Sequence, residues 1–388
     1  MSPALRCQDL ASGGRAVARM EDGRVVFVEG ACPGELVEVT IQVDKGRFLE
    51  GSVGRVLEPS ADRVVPKCGH FGDCGGCSWQ YLSYPAQLAA KRRILEDALR
   101  RIGKIAAIPD IEVVGSESPW GTRNRAQLQP SGAKGTPWGF FAAGSRRAVG
   151  LSECPVLAPE LQGLWNDLAD VEGNPWADRR QRSVFAYGAQ GRRWVHIPGT
   201  KAAAPAQVEV LGKTFRFSPE GFFQGHLGLV PRMVQEVLCD DRGEEAWDLY
   251  SGVGLFASHL QSRFRKVHAV ESDPLAALHA QANIGRAVHH RWDVESWLEQ
   301  RIHEGSGHPD LVVVDPPRQG LTPRALRALL AVAPGKLRYV SCGHDTLARD
   351  LGQLLSNGWR LERLVLLDLY PHTPHMEVVA SLVECDPK

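Results

Sequence analysis

Alternation governs the first sixty residues. In "GRAVARM", "GRVVFVEG", "ELVEVTIQVD" and "FLEGSVGRVLE" apolar and polar side chains trade places, and "EDG", "CPG" and "KG" interrupt the runs. A period of two with Gly-rich turns predicts short strands, and so many in residues 1–60 predict a small OB-like β-barrel. "EPSADRVVP" then reads as a polar, Pro-bounded linker. Over 84–103 the period changes. Leu88, Ile94, Leu95, Ala98, Leu99 and Ile102 fall at helical spacing before a Gly, which predicts a helix packed on the C-terminal domain. Residues 104–218 carry short β-like runs rich in Gly, Pro, Trp and Arg, so 61–218 reads as a central, mostly β module. From 219 to 388 strands alternate with helices: "EAWDLYS", "KVHAVES", "AVHHRWD", "DLVVVDPP", "KLRYVSC", "RLERLVLLDLYP" and "HMEVVASLVEC". That alternation predicts an α/β, doubly wound sheet with its ligands at the strands' C-terminal edge.

Composition narrows the compartment more than the partner. The 388 residues hold 45 Lys+Arg against 45 Asp+Glu, so any basic surface is local. "MSPALRCQDL" has no signal-peptide pattern, and no apolar run is long enough for a membrane helix. Nine Cys in such a chain argue against a disulfide framework and for a reducing, cytoplasmic setting, where clustered Cys mean metal or catalysis. Residues 118–152 contain no Asp or Glu. They carry Arg123, Arg125, Lys134, Arg146 and Arg147 among Trp120, Trp138, Phe140 and Phe141. Cations beside stacking surfaces suit RNA, with Arg123 and Arg125 the leading contacts.

"DLYSGVGLFA" is a strand entering a Gly-x-Gly turn and a helix, and Gly252 lets backbone approach a ligand. Glu271, about 20 residues on at the tip of the next strand, is placed for a ribose diol. Asp293, closing the third strand, is placed for an adenine amino group. The third glycine of the dinucleotide fingerprint is missing and there is no phosphate loop, which favours S-adenosylmethionine over NAD or ATP. "DLVVVDPPRQGL" ends a buried strand in Asp315 and two rigid prolines, and "YVSCGHDTLARD" puts Cys342 at the tip of the next. Both would share an edge with the methyl donor. Uracil carbon 5 is a poor nucleophile. A thiolate added at carbon 6 activates it, and a base must then remove the carbon-5 proton. Glu377, flanked by His372 and His375, is the candidate base.

These motifs resemble those of the bacterial RNA 5-methyluridine methyltransferases from the Cys cluster to the C-terminus: "DLYSGVG", "DPPRQGL", "VSC" before "TLARD", and "HMEVV". The N-terminal barrel resembles the TRAM domain common in that family. The resemblance implies Cys342 as nucleophile and Glu377 as base. It implies Gln224 in "GFFQGH" at the cofactor or target base, with Tyr250, Glu271 and Asp315 in the cofactor site. His226 stands where the family usually has Asn, Gly343-His344 where it has Asn-Pro, and Ser251 where it often has Cys.

Cys68-x5-Cys74-x2-Cys77, with distant Cys154 before Pro155, leaves zinc and an iron–sulfur cubane open on spacing, and favours the cubane because only one short knuckle is present. The resemblance strengthens a structural 4Fe-4S cluster. The expected substrate is a uridine in structured RNA, 23S rRNA before tRNA, and the expected state a monomer. A redox-responsive RNA-binding protein with an inactive methyltransferase fold is the rival from another class. The intact Cys342, Glu377, Glu271 and Asp315 count against it. Arg318 counts against an amino-group methyltransferase, which would place an aromatic there.

Overall fold

The computed structural model describes residues 2–133, 136–169, 183–199, 204–305 and 308–385. Residues 4–58 form one six-stranded sheet in the order Ala4–Arg6, Leu36–Asp44, Phe48–Glu58, Val25–Glu29, Ala16–Arg19, Asp9–Leu10. The alternation works as expected: Ala16, Ala18, Val26, Val28, Val37 and Val39 point into one core and their neighbours outward. Arg63, in the linker, pairs with the buried Glu35 and lies 5.2 Å from the Tyr81 ring, which ties this sheet to the Cys-bearing segment.

The helix Tyr84–Arg101 carries Pro85 in its first turn and ends two residues earlier than the periodicity predicts, with Ile102 exposed at its C-cap. Its buried stripe runs through Ile94, Leu95, Ala98 and Leu99, but its first turns bury Gln87 and Lys91 instead. The central module holds an antiparallel five-stranded sheet ordered Ala148–Gly150, Thr136–Phe141, Arg125–Ala133, Val184–Ala189, Arg192–His196.

The C-terminal sheet has eight strands in the order Val288–His290, Phe264–Val270, Gly243–Leu249, Leu311–Val314, Lys336–Ser341, Glu377–Glu384, Trp359–Leu367, Ile111–Val114. The first five are parallel, and Glu377–Glu384 runs antiparallel to both of its neighbours. Leu311–Val314 is buried at all four positions, as a strand covered on both faces must be. Strand order reverses at Gly243–Leu249, which opens a crevice at the C-terminal ends of the central strands.

Two segments cross the boundary expected at 218/219. Ile111–Val114 joins the sheet by pairing parallel with Trp359–Leu367. The hairpin Ala206–Val210/Lys213–Phe217 stacks Phe217 on Phe223 at 4.4 Å and shares a core with Val253 and Phe256. The central module and the sheet are therefore interleaved. Among the described residues no helix is long and apolar enough to cross a membrane.

Candidate active site

The crevice is a cavity of about 600 Å³, and Gln224, Tyr250, Gly252, Glu271, Asp315, Cys342 and Glu377 all line it. Seven residues from six places in the sequence meet: Tyr250, Gly252, Glu271, Asp315 and Cys342 follow the ends of parallel strands, Glu377 opens the antiparallel strand Glu377–Glu384, and Gln224 comes after the strand Lys213–Phe217. The turn after Gly243–Leu249 is tight: Tyr250 has φ 62° and Gly254 φ 87°. A Cβ on Gly254 would stand 2.1 Å from Ile284 Cγ2, so only glycine fits. Glu271 Oε2 accepts from Gly252 N at 2.9 Å and Oε1 from Asp273 N at 2.6 Å, which locks this turn to the next one. Asp248, fully buried below, accepts from Ala257 N at 2.7 Å. Burial pushes its carboxyl up to about 8 against that hydrogen bond, with Asp315 and Glu271 adding to the rise. Gln224 Oε1 and Ser251 Oγ are buried without partners, the condition expected of atoms that meet a polar ligand.

The reactive end is set by strand register. Ser341 stands opposite Val378 in the antiparallel pair, so one further step brings Cys342 opposite Glu377. Burial, then the charges of Glu377 and Asp315, push the Cys342 thiol up to about 11, while the charge and hydrogen bond of Arg318 pull it down. Glu377 is 3% exposed, and burial, then Asp315, hold its carboxyl well above the usual range. Asp315 is pushed up to about 7 by burial and then Glu271. The site therefore keeps protons on groups that ordinarily lose them, and gives its bases extra strength once ionised.

The flanking histidines separate. His372 is buried with its ring stacked 3.9 Å from Trp120, away from the cavity lining. His375 is exposed, edge-on to Tyr370. Gly343 has a steric reason: a Cβ there would lie 2.9 Å from Arg318 O and 2.7 Å from Thr346 Oγ1. His344 meets Ser12 Oγ of the N-terminal sheet at 2.8 Å. His226 bonds Ser116 and lies outside the main cavity.

Known proteins agree with this architecture. Residues 7–53 match the TRAM domain model, and residues 300–384 match the tRNA (Uracil-5-)-methyltransferase model. The chain is 32% identical over 418 residues to the 23S rRNA (uracil(1939)-C(5))-methyltransferase RlmD of Enterobacter sp. (strain 638), covering 95% of this chain and 93% of that one. It is 33% identical over 432 residues to the RlmD of Chromohalobacter salexigens, covering 99% and 90%. The chain belongs to the RNA (uracil-C5) methyltransferases. The fold of this methyltransferase also matches the Pyrococcus abyssi tRNA (uracil-54, C5)-methyltransferase crystallised with S-adenosyl-L-homocysteine: TM-score 0.74, 23% identity, 98% of this chain and 100% of that one. As a member of the family it is an enzyme of uracil carbon-5 methylation in RNA.

Several expected contacts of the methyltransferase have other partners. The third strand ends at His290, so Asp293 begins the helix Val294–His303 as its N-cap. It accepts from Ser296 N at 2.9 Å and is not among the cavity lining. Arg125 is half-buried, with Nη2 donating to Glu220 O at 3.2 Å and Nε buried without a partner. Arg123 is exposed, lies 5.7 Å from the Phe140 ring and lines the cysteine pocket. Trp138 is buried and Trp120 is engaged with His372, which leaves Phe141 as the exposed aromatic of the segment. Lys134 lies outside the described residues.

Cys68, Cys74, Cys77 and Cys154, from two distant stretches, line one small pocket with Gln80 and Arg123. All four are unpaired, and burial raises each thiol, Cys77 to about 11 and Cys154 to about 12. Among the described residues no three His, Cys, Asp or Glu side chains converge on a single-ion site.

Proposed function

We propose that this methyltransferase moves the methyl group of S-adenosylmethionine to carbon 5 of a uridine in 23S rRNA, through a covalent adduct of Cys342. The carrying observation is that Cys342 and Glu377, each one step beyond the Ser341–Val378 pair, line the same cavity as Tyr250, Gly252 and Glu271. Glu271, already fixed by Gly252 N, would hold the ribose diol, and the orphaned Gln224 Oε1 and Ser251 Oγ would take polar groups of donor or base. S-adenosylmethionine supplies an electrophilic methyl on a sulfonium. The chain's own residues do the rest. Arg318 lowers the cost of the Cys342 thiolate, which bonds uracil carbon 6 and makes carbon 5 nucleophilic. Once carbon 5 has bonded the methyl and the donor has left as S-adenosylhomocysteine, Glu377, as carboxylate, takes the carbon-5 proton. The electrons of that C–H bond restore the double bond and the C6–S bond breaks. A raised carboxyl suits this role, because a stronger base is wanted once it is ionised.

Ribosomal RNA is favoured over tRNA by the two relatives named for 23S rRNA, which match nearly the whole chain. That substrate sets the work in the cytoplasm, and one chain carries the whole site, which supports a monomer. The lining of one small pocket by four unpaired thiols, with the Cys-x5-Cys-x2-Cys spacing, favours a 4Fe-4S cluster over zinc in this reading. Cys68, Cys74, Cys77 and Cys154 would hold it, and it would cross-link the two stretches. The reading is tested by trapping. Glu377→Gln should accumulate a covalent RNA complex on a denaturing gel, dependent on S-adenosylmethionine, and Cys342→Ala should form none. Methylation by Cys342→Ala would sink the mechanism. An unchanged 23S rRNA and a missing methyl in tRNA from cells lacking the protein would replace the substrate.

A further inference from the structure

Residues 368–376 join the last two strands. They bring Tyr370 into the cavity and deliver Glu377 to it. Two polar side chains one helical turn apart grip this loop from the helix Tyr84–Arg101, more than 270 positions away in sequence. Lys91 and Asp368 are both fully buried and meet at 2.5 Å. The same ammonium donates to Tyr370 O at 2.9 Å. Gln87, also fully buried, accepts from His372 N at 2.8 Å and donates to Trp79 O and Leu82 O. On the far side His372 O accepts from Ser78 N and Trp79 N, each at 2.9 Å. His372 itself sits at φ 63°, a conformation that a non-glycine residue keeps only where its surroundings hold it.

None of these groups touches the cavity's reacting end, and none is a natural choice for stability. A buried ion pair is costly to desolvate, and well-packed apolar residues of the same volume serve a core as well or better. What an ammonium adds is a fixed point: it binds one carboxylate and one carbonyl in a set direction, two residues apart on the loop that carries the base. We infer that Lys91 is a positioning residue for methyl transfer, with Gln87 as its second anchor. Together they hold Tyr370 and Glu377 in register with Cys342. The inference rests on Glu377 being the base.

The test separates formation of the RNA adduct from its release, in single turnovers with the unmodified transcript that the wild-type enzyme methylates. Lys91→Met should form the Cys342 adduct at close to the wild-type rate, because the thiol and the donor site are untouched. Release should slow on the order of 10²-fold, as expected for a base displaced by about an ångström. The covalent complex should therefore accumulate as in Glu377→Gln. Equal loss in both steps, or none in either, would overturn the positioning role. If the lone Asp368 carboxylate keeps Lys91→Met from folding, Lys91→Met with Asp368→Leu removes both charges and keeps the packing. It should still release slowly, and wild-type release in that folded double variant would overturn the inference. Accumulation in Glu377→Gln without it in the Lys91 variants refutes the positioning role alone. No accumulation in Glu377→Gln refutes the base and the positioning role with it.

Discussion

Replacing Arg318 with Gln removes the cation that opposes burial, Glu377 and Asp315 at the Cys342 thiol. Two unit charges about 4 Å apart in an effective dielectric of about 20 interact by ~4 kcal/mol, equivalent to roughly 3 pKa units. Arg318 is exposed, so solvent screens it, and about 1–2 units is the expected loss. With the wild-type thiol at about 11, its thiolate fraction grows roughly tenfold per pH unit between pH 7 and 10. Arg318→Gln should keep that slope and lie about 10- to 100-fold lower at pH 9. The assay is a short pulse of iodoacetamide on the RNA-free enzyme, with alkylation of the Cys342 peptide read by mass spectrometry across pH 7–11. Peptide resolution keeps the other eight cysteines out of the signal. A wild-type rate that levels off below pH 9 would refute the raised thiol. Identical wild-type and Arg318→Gln profiles would refute the role of the guanidinium.

Asp248 is an acid whose folded pKa of about 8 lies above its ordinary 3.8, so the native state holds a proton that the unfolded state releases. Its contribution therefore worsens as pH rises from about 4 to 8, and urea unfolding should show Asp248→Asn gaining about 3 kcal/mol on the wild type between pH 5 and pH 8. A constant gap would refute it. Gly254→Ala combines φ 87° with a Cβ 2.1 Å from Ile284 Cγ2, and should lower stability by roughly 2–4 kcal/mol in the same assay. An unshifted denaturation midpoint would show that the turn yields. Protein purified without oxygen should carry iron and sulfide near one four-iron cluster per chain. Stoichiometric zinc would contradict this.

The cavity-lining edge was legible because its residues are punctuated. Gly-x-Gly, Asp-Pro-Pro and a Cys after an apolar run each end a strand, and strands of one parallel sheet end on one side. Asp293 shows the limit of that punctuation: an acidic residue after a strand also reads as an N-cap of the next helix, and the two residues between His290 and Asp293 carry it to the cap. Arg125 was hidden by composition, since an arginine on a strand shows its sign in the sequence and not its face. Gln87 and Lys91 read as the polar side of an amphipathic helix. They are buried because a loop from the far end of the chain covers them, and periodicity holds no trace of such a partner. Ile111–Val114 looked like part of the module around it, since four apolar-rich residues do not say which sheet they will join.

That short strand also dictates an order of events on the ribosome. Ile111 pairs with Leu364, and Val114 with Leu367. At about 5–20 residues per second of synthesis, Ile111–Val114 waits on the order of ten to fifty seconds before its partner exists. Tyr84–Arg101 waits with it, because the loop that covers Gln87 and Lys91 comes later still. The N-terminal sheet can close at once, as all of its strands lie within the first 58 residues. The nascent chain is thus folded at its head and unfinished behind it, with a bare strand edge of the kind that invites wrong pairing. A ribosome that stalls before codon 359 would leave more than the last strands missing, because Ile111–Val114 would lack its partner strand, and Gln87 and Lys91 the loop that covers them.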